Sequence, residues 1–105
     1  ELNRINEIIG LFNPNIQLIL SVSPVPLLAT FQTDNYHVAE ATMLSKSTLR
    51  LAIDQFVKEN ANATYFPSFE MVNYCIKDPW ESDQRHINKE AVQKVMKMFN
   101  EYFVK

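Results

Sequence analysis

Glycine is almost missing from this sequence, Gly10 being the only one in 105 residues. A backbone that passes close to a phosphate or an oxyanion usually relies on glycine, so no phosphate-binding loop is expected. The single cysteine, Cys75, excludes an internal disulfide. No apolar run approaches the roughly 20 residues that a membrane-spanning helix needs, and Ile16 to Val22 is interrupted by Gln17. A net charge of -2 leaves no basic patch, so neither nucleic acid nor an anionic membrane is an expected partner. A leader segment is also lacking, because the chain starts at Glu1 directly in a helical pattern. It therefore reads as a cut-out from a longer protein, soluble and cytoplasmic by default, with its compartment unassigned.

What is present is ordinary globular composition, 47% hydrophobic and 21% charged, in a length that suits a single domain over residues 1–105. Leu2, Ile5, Ile8, Ile9 and Phe12 form a helical stripe that ends at Asn13-Pro14, since the residue before proline is pushed out of the helical region. The run from Ile16 to Val22 is nearly continuous and rich in branched side chains, which predicts a strand buried on both faces of a parallel sheet. Ser23-Pro24-Val25-Pro26 terminates it. An irregular excursion to about His37 follows, then helical periodicity from Val38 to Asn60, with Ser45 or Ser47 as a candidate internal cap. Ala63-Thr64-Tyr65-Phe66 predicts a second strand closed by Pro67, and Phe69 to Ile76 fits either a helical turn or an extended piece. The last helix starts near Lys89: Asn88 can cap it, Glu90 suits its first turn, and Val92, Val95, Met96, Phe99 and Phe103 line one side. Strand, helix, strand, helix is the order of an α/β protein with parallel strands and crossover helices.

The chemistry is concentrated just before that last helix. Asp83 precedes His86 by three residues, close enough for its carboxylate to reach an imidazole nitrogen if Gln84 and Arg85 curl back. A carboxylate held on one ring nitrogen fixes the tautomer, so that the other nitrogen can take a proton from a nucleophile. The plain alternative is that Asp83 stabilises a turn and His86 is an exposed polar residue. In open α/β sheets ligands bind beyond the carboxyl ends of the strands, and Ser23 and Pro24 follow one strand while Ser68 follows the other. Trp80 stands beside them and either lines a pocket or covers the core. Ser23 and Ser68 are the serines best placed to act as nucleophile, but Ser23 precedes a proline and lacks a strand-turn-helix elbow, which favours a turn role. Lys46 and Arg50 fall one helical turn apart, forming either a solvated face or a contact for an anionic group. Asp34, His37, Asp83 and His86 carry donors that metals accept, yet no dense spacing links them, so neither a metal site nor a cofactor is expected. Asn62-Ala63-Thr64 matches a glycosylation acceptor, a pattern too short to carry weight.

Four segments together carry a resemblance: Ser21-Val-Ser-Pro-Val-Pro-Leu27, Ser45-Lys-Ser47 with Leu49-Arg50, Tyr65-Phe-Pro-Ser-Phe-Glu70, and Asp83-Gln-Arg-His86. Their order and spacing resemble the C-terminal half of the GSCFA domain family, which is in turn similar to the SGNH (GDSL-like) hydrolases. The resemblance implies a partial flavodoxin-like three-layer sandwich with the N-terminal strands absent. It also implies that Asp83 and His86 are two members of a serine triad. In that pattern the nucleophile and the glycine and asparagine that hold the oxyanion precede Glu1. The resemblance thus implies an ester substrate, perhaps an acylated glycan, for the longer protein and no turnover by this chain alone. A sheet shortened in this way has unpaired edges and apolar faces, from which a homo-oligomer is expected.

Overall fold

The computed structural model describes residues 1–29 and 37–104. The chain folds as helix α1 (Leu2–Phe12), strand β1 (Leu18–Leu20), helix α2 (Val38–Glu59), strand β2 (Ala63–Tyr65), a short helical segment α3 (Ser68–Glu70) continued by a π-helical turn (Met71–Cys75), and helix α4 (Lys89–Phe103). It is a mixed α/β protein with a small parallel sheet.

α1 ends where proline dictates: Asn13 is extended, and its side chain turns to accept a hydrogen bond from the backbone N–H of Asn15 at 3.0 Å. β1 and β2 pair in parallel with Leu18 opposite Ala63 and Leu20 opposite Tyr65, α2 forming the connection. The sheet is shorter and more open than the sequence predicts. Only three residues of the Ile16–Val22 run pair, and Ile19 is 41% exposed, so β1 is not buried on both faces. All three residues of β1 pair with all three of β2.

α2 runs unbroken through Ser45 and Ser47, neither of which caps it. His37 does so instead: its Nδ1 accepts from the backbone N–H of Ala39 at 3.2 Å, while the Glu40 carboxylate accepts from the His37 backbone N–H at 3.1 Å. α2 buries Ile53 and Phe56 and packs against β2. The segment from Phe69, ambiguous in sequence, is helical and buries Val72. α4 begins as its cap predicts, Asn88 Oδ1 accepting from the backbone N–H of Ala91 at 2.9 Å. Its apolar stripe meets Phe66, whose ring stands edge-on to Phe99 and Phe103 at centroid distances of 5.3 and 5.9 Å. Burying a phenylalanine stabilises by about 1.5–3 kcal/mol, with about 0.5–1.5 kcal/mol more for such ring geometry. Phe66 follows β2 directly, so this contact fixes α4 at the end of the sheet where the strands finish.

Asn62, in the glycosylation-like tripeptide, is occupied structurally: its side-chain amide donates to Asn6 Oδ1 at 2.8 Å, tying α1 to the start of β2.

Candidate active site

The loop between the π-helical turn and α4 is built as a small closed lobe. Trp80 and Ile87 form an antiparallel bridge, the Glu81 N–H donates to the His86 carbonyl at 2.7 Å, and the Asn88 N–H donates to the Pro79 carbonyl at 2.8 Å. A turn at the tip is closed by the Gln84 N–H donating to the Glu81 carbonyl at 2.9 Å. Gln84 adopts a left-handed conformation with φ of 56°, costly for a residue with a Cβ by about 1–2 kcal/mol. That reversal is the curling back that an Asp83–His86 contact needs.

Asp83 Oδ1 accepts from the backbone N–H groups of Arg85 at 3.0 Å and His86 at 2.9 Å, and its Oδ2 is hydrogen-bonded to His86 Nδ1. The His86 ring and these two backbone donors hold the carboxyl of Asp83 well below the ordinary aspartate range. In the neutral tautomer that donates from Nδ1 to Asp83, Nε2 is the acceptor. Arg85 Nη1 lies 3.2 Å from that nitrogen. Its Nε, by contrast, is buried without a hydrogen-bond partner among the described residues. Arg85 is thus the neighbour of His86 Nε2, which spacing alone does not single out. Both members of the pair are exposed, unlike the buried aspartate of a serine-protease triad.

The other candidates separate into two groups. Pro24, Ser68 and Ile87, the residue after His86, line one cavity of about 170 Å³ together with Val72 and Val95. The strand-end loop and the histidine loop therefore meet on one rim, and Gln84 and Arg85 face Pro26 and Leu27 across a neighbouring groove. Ser68 acts as a strut there: its hydroxyl lies 2.5 Å from that of Ser21 and 3.1 Å from the Val22 carbonyl, while Ser21 donates to the Phe66 carbonyl at 2.7 Å. The two hydroxyl protons are shared among these three contacts. Ser23 is exposed and accepts from the Val25 N–H at 3.3 Å, a turn role, and lies outside the cavity lining. Trp80 is half-buried and braces the base of the loop; it too is outside that lining. No group of three metal-capable side chains gathers among the described residues. His37 is engaged as a helix cap, and Asp34 lies outside the described residues.

The arrangement defines a mixed α/β protein with a local Asp–His pair in the loop before α4; the two side chains line neither of these cavities, which their neighbours Gln84, Arg85 and Ile87 share with residues that follow the strands. The family model described as the GSCFA family matches residues 1–99, nearly the whole chain, and the chain belongs to that family. No curated protein and no solved structure matches it. No helix among the described residues is long and apolar enough to cross a membrane.

Proposed function

We propose that this chain is the C-terminal portion of a GSCFA-type, SGNH-like hydrolase or acyl-transfer protein acting on an ester, and that it contributes the general base. The observation that carries this reading is the three-bond grip of Asp83 on His86, beside the cavity shared by Pro24 and Ser68. Asp83 orients the ring and balances the charge that His86 acquires when Nε2 takes a proton from an attacking hydroxyl. Ser21 and Ser68 are engaged in strand-end contacts; the resemblance to the SGNH pattern implies that the nucleophile, the oxyanion donors and the remaining strands of a flavodoxin-like sandwich lie upstream of Glu1. An acylated glycan is the substrate class suggested by the superfamily. Isolated, the chain is expected to show no serine-dependent turnover, because the groups that stabilise a tetrahedral intermediate are elsewhere. Its one-sided strands and exposed apolar helix faces favour a homo-oligomer.

The test is ester hydrolysis by the complete parent protein carrying His86→Ala or Asp83→Asn, with thermal unfolding as the control. Each variant is expected to lower kcat by about 10²-fold or more while the protein stays folded, with a fall in Tm no larger than loss of one exposed pair would cause. Unaltered turnover would instead favour a non-catalytic domain that binds a ligand or a protein on the same face.

A further inference from the structure

Lys46 is the one charged side chain in the buried set among the described residues, with 9% of its surface exposed. The sequence leaves it either on a solvated helix face or in contact with an anionic group; it lines a cavity of about 410 Å³ between α2 and the segment from Phe69 to Tyr74. No carboxylate or carbonyl among the described residues accepts a hydrogen bond from it, and its burial lowers its proton affinity.

Its neighbours, in contrast, are balanced. Arg50, one turn along α2, donates from Nε to Glu70 at 3.0 Å and stacks over the Tyr65 ring at 3.8 Å. Tyr65 donates its hydroxyl to the same carboxylate at 2.7 Å, and burial together with Glu70 pushes its own ionisation up to about 12. Asp54 pairs with Lys58 at 2.7 Å and lies 3.9 Å from Arg50. Among the described residues the cavity therefore carries one positive charge without a carboxylate partner. Around it the surface is apolar, made by Met43, Leu51, Phe69 and Tyr74, with the Ser47 hydroxyl as an additional polar group.

The geometry points to a binding site for an amphipathic monocarboxylate, its anionic head on the Lys46 ammonium and its hydrocarbon or aromatic body along Leu51, Phe69 and Tyr74. A single unbalanced charge suits a monoanion better than a doubly charged phosphate, and the apolar walls favour a ligand with a tail. The site shares no lining residue with the cavity that Ile87 lines and does not depend on the proposed role of Asp83 and His86.

Octanoate is the probe, titrated into the 105-residue chain while backbone amide NMR signals are followed. Saturable shifts confined to residues 43–51 and 69–74 are expected, whereas octanol and inorganic phosphate should bind at least about tenfold more weakly. Lys46→Met keeps the aliphatic stem and should weaken octanoate by about tenfold or more. Leu51→Glu, at the exposed rim, places a carboxylate opposite Lys46 and should weaken it similarly without altering Lys46 itself. No saturable shift, equal binding of phosphate, or unchanged octanoate affinity in either folded variant overturns the proposal.

Discussion

Asp83 accepts three hydrogen bonds through two oxygens, and all three donors come from the next three residues. This compactness lets an exposed pair stay assembled without burial, since little chain must be ordered to bring the partners together. The same donors stabilise the ionised form, so protonation is harder in the folded chain than in the unfolded one, where aspartate titrates near ~3.9. The stabilisation is fully present above that value and disappears as pH falls through the lower folded-state value. Carboxyl carbon NMR should accordingly give Asp83 a midpoint clearly below that of an ordinary aspartate, and His86→Ala should move it upward. A midpoint near ~4 in the unaltered chain would mean that the carboxylate is not gripped.

At the scale of elements, Asn88 joins the histidine loop to α4. Its side-chain oxygen caps the helix, while its Nδ2 donates to the Asp78 carbonyl at 2.7 Å, holding the other end of the loop. Asn88→Ala removes both, with an expected loss of about 1–2 kcal/mol and a corresponding fall in Tm. The loop should loosen as well, seen as faster hydrogen exchange at the Glu81 and His86 amides; Asn88→Asp, which keeps the cap but not the donor, should recover most of the stability and little of the exchange protection. The Asn88 cap and the Asp83–His86 pair are legible in sequence because they act over three residues, whereas the Asn88–Asp78 contact, ten residues long, is not. His37 is less legible as a cap, since serine, threonine, aspartate and asparagine are the usual residues there. The length of β1 and the burial of Lys46 are not legible at all. Leu18–Leu20 pairs with a strand more than forty residues away, and Lys46 shares its cavity with Phe69 and Tyr74, neither of which local periodicity can place.

For the whole molecule, the decisive quantity is how much apolar surface stays in water. The radius of gyration is 16.0 Å, against about 13 Å for a compact chain of this length. Leu11 and Phe12 at the end of α1 are 84% and 87% exposed, and β1 and β2 each pair on one side only among the described residues. Two routes to association follow: apolar helix packing through Phe12 and strand pairing through the open edge beside Ile19. Either removes surface that a lone chain leaves wet, at about 25 cal/mol per Å². Light scattering should therefore give a mass above that of one chain, and Tm should rise with protein concentration, because a partner that binds only the folded state stabilises it by mass action. Phe12→Glu should lower the associated mass if helices meet, and Ile19→Lys should do so if strands pair, charge on an edge being a natural barrier to pairing. A mass of one chain at all concentrations would count against both routes, and would require the exposed faces of α1 and β1 to be stable in water unaided.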